Sequence, residues 1–115
     1  MLKKANRLKK RKEFSYIYKK GTVLHAPDFM LHYSPALKPY TQIGISVSKQ
    51  VGNSVVRSRT KRIISEACRL NIQKFKVKNY IITARASIAG KTSTQIEQQL
   101  LTLLQKAKLL RGQDV

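Results

Sequence analysis

Apolar residues recur along this chain with two periods, and the switches between them mark out seven elements. Phe14, Ile17 and Tyr18 stand at i, i+3 and i+4, the spacing of one helix face. Gly21 follows Lys19 and Lys20 and is well placed to end that helix. Val23-Leu24 reads as a short first strand. From Phe29 to Tyr33 the period becomes two, with Phe29, Leu31 and Tyr33 on one side and Met30 and His32 on the other. By this parity Tyr33 points into the core. Pro35 and Pro39 mark the turn region that follows. Gln42 to Ser48 alternates more cleanly: Ile43, Ile45 and Val47 face one way, Gly44, Ser46 and Ser48 the other. A strand face of small residues lets another chain come close to the sheet.

Gly52-Asn53-Ser54 predicts a turn and then a helix start, with Asn53 or Ser54 as the N-cap. The helix runs to about Leu70, and Asn71 terminates it. Asn79 to Arg85 reads as a buried strand and Ala89-Gly90-Lys91 as a loop. Thr94 and Glu97 make an S/T-x-x-E capping box, before a last helix whose stripe is Ile96, Leu100, Leu103, Leu104 and Ala107. The order α-β-β-β-α-β-α, without internal repeat or linker, predicts one domain over residues 1–115, a two-layer α/β sandwich.

Composition supports a folded core, since the apolar share is 42%. Charge changes the picture. Twenty-four Lys and Arg face five acids, a net charge of +19. A small domain needs a net charge of only about 2–8 for solubility. Self-repulsion well beyond that opposes compaction, so the balance points to a polyanionic partner. No apolar run approaches the roughly 20 residues of a membrane span, and no membrane partner is expected. No apolar stretch follows the basic N-terminus as a signal peptide would require. The single Cys68 cannot form an internal disulfide, which suits a reducing, cytoplasmic location. Residues 1–12 carry Lys3, Lys4, Arg7, Lys9, Lys10, Arg11 and Lys12, so residues 1–10 are expected to be a basic tail, mobile until it meets a polyanion.

The charge gathers on the long helix. With Val55 at zero and about 100° per residue, Val56, Ile63, Ala67 and Leu70 fall within roughly 60–120°, and Thr60 and Ile64 extend that arc. Arg57, Lys61, Arg62 and Arg69 fall between roughly 200° and 340°, with Arg59 on the flank. Ser58 and Ser65 sit among them, small enough to let a phosphate backbone approach. Glu66 lies near Arg62 and Arg59, where it could orient either one. Arginine dominates here, and its planar fork favours bidentate phosphate contacts. His25 and His32 lack companion ligands at metal-binding spacing, and no Ser/His/acid set is suggested. No catalytic residue, metal or cofactor is therefore expected on the protein's own side chains. Size and charge alone fit a ribosomal or other structural rRNA-binding protein, or a DNA-binding protein, equally well.

Three motifs narrow that choice. Ile45 to Arg69, ISVSKQVGNSVVRSRTKRIISEACR, closely resembles the protein subunit of bacterial ribonuclease P, whose hallmark is an R-N-R-x-x-K-R-like helix after a V-G-N turn. Arg7 to Gly21 is similar to that family's R-L-K-K, aromatic-x-x-x-aromatic and K-x-G opening. Asn79 to Arg85 is similar to its D-Y-I-I-x-A-R-like strand. The resemblance spans nearly the whole chain in order. Ser58 stands where the family usually has Asn, and Ser65 where it often has Arg.

The resemblance implies an open four-stranded sheet with helices, like the second domain of ribosomal protein S5. It implies hydrolysis by an RNA subunit with bound Mg²⁺, and removal of the 5′ leader from precursor tRNA. The expected partners are that RNA and precursor tRNA, with no further protein required. Asn53, Arg57, Ser58, Arg59, Lys61, Arg62, Ser65 and Arg69 would contact the catalytic RNA. Lys10, Phe14, Tyr18, His32, Ser46, Ser48 and Lys49 would line a cleft for the leader. His32 occupies a position where relatives commonly show Tyr.

Overall fold

Stop signals and strand parity, acting together, set the architecture of the computed structural model, which describes residues 2–112. The elements are α1 (Arg11–Lys20), β1 (Thr22–His25), β2 (Phe29–Pro35), β3 (Gln42–Ser46), α2 (Ser54–Leu70), β4 (Lys78–Ala84) and α3 (Ser93–Lys106). The strands form one open sheet in the order β1-β2-β4-β3. Only the β3–β4 pair is parallel, and α2 provides the crossover that such a pair requires.

Register sorts the side chains into rows. Leu24, Leu31, Ile82 and Ile45 align across the sheet, as do Val23, His32, Ile81 and Gly44 one step away. The first row, with Phe29, Ile43 and Tyr80, meets Ile64, Ala67 and Cys68 of α2 and Ile96, Leu100 and Leu104 of α3. This is the main core, where each fully buried Leu, Ile or Phe contributes about 1.5–3 kcal/mol. The opposite face carries only a small cluster, Leu8 and Ile17 on Ile81 with Phe14 beside them. So α1 covers part of the second face and leaves the rest open. Tyr33, as its parity required, packs against the main core.

Three expectations need correction. The N-terminal segment is docked, not free. Leu2 and Leu8 are only 4% and 5% exposed, one in each cluster. Residues 4–6 form a 3-10 turn, Leu8 N–H donates to Ile43 O at 3.0 Å, and Asn6 Nδ2 donates to Thr41 O at 2.7 Å. β3 is an edge strand, and this segment covers its unpaired backbone groups.

The capping box of α3 also lies two residues earlier than expected. Thr92 Oγ1 accepts the Gln95 N–H at 3.2 Å, and Gln95 Oε1 accepts the Thr92 N–H at 2.8 Å. That arrangement leaves Glu97 to accept Asn71 Nδ2 at 2.7 Å, tying α3 to the end of α2.

Finally, α2 is turned by about 50° from the expected wheel. Its buried ridge is Thr60, Ile64, Ala67 and Cys68, whereas Leu70 is 58% exposed. Thr60 can be buried because its hydroxyl donates to Val56 O at 2.8 Å.

Candidate nucleic-acid interface

The V-G-N turn launches the basic helix. Gly52 has φ +154°, and a Cβ there would lie 2.9 Å from Val56 Cβ. Only glycine fits without strain. Asn53 then caps the helix, its Oδ1 accepting the Val56 N–H at 3.0 Å. Of the two expected N-cap residues, Asn53 rather than Ser54 takes the role.

The rotation of α2 sorts its predicted contacts. Ser58, Arg59, Lys61, Arg62 and Arg69 are exposed, and Ser54, Val55, Ser58, Arg59 and Arg62 form one shallow hollow. Arg57 is half-buried, and its Nε has no hydrogen-bond partner. Ser65 departs from expectation. It is 7% exposed and lines a recess with Leu2, Arg7, Leu8 and Ile43 of the docked N-terminal segment and β3, so little of its surface faces solvent. Glu66, expected beside Arg62 or Arg59, turns to Arg69. Both of its oxygens take donors from that guanidinium, through Nε at 3.2 Å and through Nη2. Hydrogen bonding to Arg69 is the main reason the Glu66 carboxyl is held below its ordinary pKa, and the same bond pushes Arg69 up.

On the other face of the sheet, α1 and the strands assemble an aromatic cleft. Gly44 makes room for it: a Cβ there would sit on the Phe14 ring, 2.9 Å from Cε1. The small-residue face of β3 is therefore partly filled by the protein's own Phe14. One turn further along α1, Tyr18 lies 6.4 Å from Phe14 between ring centroids and 4.8 Å from His32, edge to face with the latter. Its hydroxyl hydrogen-bonds to Thr83 Oγ1 at 3.0 Å. Even so, Tyr18 remains 41% exposed. His32 Nδ1 is buried without a partner, and its pKa is lowered, first by burial and then by His25.

The remaining predicted cleft residues divide. Ser46 aligns with Thr83 in the β3–β4 register and so sits beside the Tyr18 hydroxyl's partner. Lys10 is the N-cap residue of α1, about 12 Å along the helix from Tyr18. Ser48 and Lys49 lie beyond the end of β3, where Ser48 starts a 3-10 turn. Lys10 and Lys49 are exposed.

Thr83, Met30 and the pair His25–Arg85, joined at 2.9 Å between His25 Nδ1 and Arg85 Nη2, also belong to this face. Thr83 and Arg85 escaped sequence reading because Asn79–Arg85 reads as a buried strand. Alternation within it, Ile81 then Thr83 then Arg85, was the available signal.

A strongly basic α/β sandwich with an arginine-rich helix on one face and an aromatic cleft on the other defines a single-stranded or structured nucleic-acid binder. Residues 2–108 match the family model described as Ribonuclease P. The ribonuclease P protein component of Alkaliphilus metalliredigens is 41% identical over 106 residues, covering 91% of this chain and 96% of the relative. That of Clostridium acetobutylicum is 42% identical over 110 residues, covering 93% and 92%.

Among solved structures, the RNase P protein of Staphylococcus aureus superposes with a TM-score of 0.84 at 34% identity, covering 94% of this chain and all (100%) of that one. The RNase P protein of Thermotoga maritima gives a TM-score of 0.78 at 25% identity, covering 87% and 96%. The chain belongs to the bacterial ribonuclease P protein family, which makes it an RNA-binding component of an endoribonuclease complex in tRNA processing.

Proposed function

We propose that the protein docks on the catalytic RNA of ribonuclease P through α2 and holds the 5′ leader of precursor tRNA between α1 and the sheet. The observation that carries this reading is the Phe14–Tyr18–His32 ring group, on the sheet face away from α2. A purely structural rRNA-binding protein needs the basic helix but has no use for such a group. Stacking on exposed rings tolerates any base, which suits leaders of varied sequence.

Hydrolysis is assigned to the RNA subunit and its Mg²⁺, and the protein's part is binding and positioning. Three of its five acids are drawn into the fold. Asp28 is engaged by Gln99 Nε2 at 2.6 Å and Lys91 at 3.8 Å, Glu66 by Arg69, and Glu97 by Asn71. Each is committed to an interaction within the fold. The RNA subunit and precursor tRNA are the partners, and the cytoplasm is where they would meet.

Reconstitution tests the proposal. Adding the protein to a bacterial ribonuclease P RNA is expected to raise cleavage of precursor tRNA at low Mg²⁺. Equal rates with and without protein, for an RNA to which it demonstrably binds, would sink it.

A further inference from the structure

We propose that the leader's path continues past Tyr18, over the β1–β2 turn, into a groove along α3, so that the protein holds a longer single-stranded segment than the cleft alone. This rests on the leader-cleft reading above. A chain of contacts links the two places. The Tyr18 hydroxyl meets Thr83, which aligns with Met30 and His25 across the sheet. Two residues beyond Thr83, Arg85 donates from Nη2 to His25 Nδ1. The guanidinium has five donors and the bond to His25 uses one, so a phosphate passing this corner finds donors on the exposed end of the fork.

His25 in turn lines a groove of ≈ 450 Å³ between the β1–β2 turn and α3. Lys91 stands at one side of it, and Gln95, Gln98, Thr102 and Lys106 run along the helix. Gln98, Thr102 and Lys106 are four residues apart, which makes one ridge. From Gln95 to Lys106 the helix rises about 16 Å, room for roughly five stacked nucleotides. Amides and a hydroxyl can both donate to and accept from base edges, and the two ammonium groups suit phosphate.

Nearby carboxylates offer little repulsion. Asp28 is buried and bonded to Gln99 and Lys91, and Glu97 is held by Asn71 of α2. Ala26, Pro27 and Leu103 give the groove apolar contacts, and Lys91, Gln95, Gln98, Thr102 and Lys106 surround them with donors and positive charge, a lining that suits the bases and phosphates of a strand.

The test uses the reconstituted holoenzyme and two precursor tRNAs, one with a leader that just reaches Tyr18 and one extended by the groove's length. The longer leader is expected to bind severalfold more tightly to the unaltered protein. Gln98→Glu combined with Lys106→Glu should abolish that gain and leave short-leader affinity unchanged. Lys106→Ala should lower the salt slope for the long leader by about 1. Photoreactive bases in the distal leader should cross-link to residues 93–106. A gain that survives the charge reversal, no gain in the unaltered protein, or distal cross-links elsewhere would each overturn the proposal. Failure of the underlying cleft reading looks different: Tyr18→Ala would then leave the short leader bound as tightly as before.

Discussion

Tyr18 is held from two sides before any ligand arrives, by the edge of the His32 ring and by the Thr83 hydroxyl. A ring fixed in that way loses little further freedom when a base stacks on it. Tyr18→Ala is therefore expected to weaken precursor tRNA binding by about 1–3 kcal/mol, and mature tRNA binding far less. Paired dissociation constants for the two tRNAs decide this, and equal losses would argue against the cleft.

His32 supplies a second test at this scale. Burial holds its pKa below the ordinary value of 6.5, so the folded protein keeps the ring neutral to lower pH than the unfolded chain does. As pH falls below about 6.5 the unfolded chain takes up the proton first, and the contribution of His32 to stability declines until the folded state is protonated too. Leader phosphates beside the ring would favour its charged form. Titration of the His32 ring by NMR should give a midpoint below 6.5 for the free protein, moving upward when leader RNA is added. An unmoved midpoint would place the strand elsewhere.

Parity was enough to read His32 and Ser46 onto one face from the sequence. It could not show that Phe14 fills the space over Gly44, because that depends on where α1 crosses the sheet.

Among the elements, α2 shows what periodicity can and cannot decide. Its length, its Asn53 cap and its Asn71 end all follow from local chemistry. Its rotation does not. The wheel rightly put Thr60, Ile64 and Ala67 on the core side, but it also favoured Leu70 because it is large and apolar, whereas the buried ridge extends to Ser65 and Cys68. Burial pushes the Cys68 thiol up to about 12, so the residue serves as a small apolar side chain and not as a nucleophile.

The N-terminal segment was misread for a related reason. Seven basic residues in twelve outweighed two leucines, yet a free β-edge and two apolar sockets are enough to dock it. A consequence separates the two readings. Leu8→Ala should destabilise the fold by about 2–5 kcal/mol, seen as a lower urea midpoint at unchanged slope. A mobile tail would show almost no change.

At the scale of the whole molecule the net charge of +19 acts in two directions. In the free protein, like charges on α1, α2 and the N-terminal segment repel one another, and salt screens that repulsion over roughly 10 Å at 0.1 M. Added salt should therefore raise the thermal midpoint of the protein alone. In the complex the same charges replace the counterions of the RNA, and added salt makes that release less favourable. Affinity for the RNA subunit should therefore fall steeply, roughly linearly in log–log form, over the very range in which the free fold gains stability. A salt series followed both by thermal unfolding and by RNA binding measures the two effects on one sample. Opposite signs are expected. If the free protein's midpoint also fell with salt, repulsion among its cations would not govern its stability, and the case for a polyanion as the missing half of the charge balance would lose its physical basis.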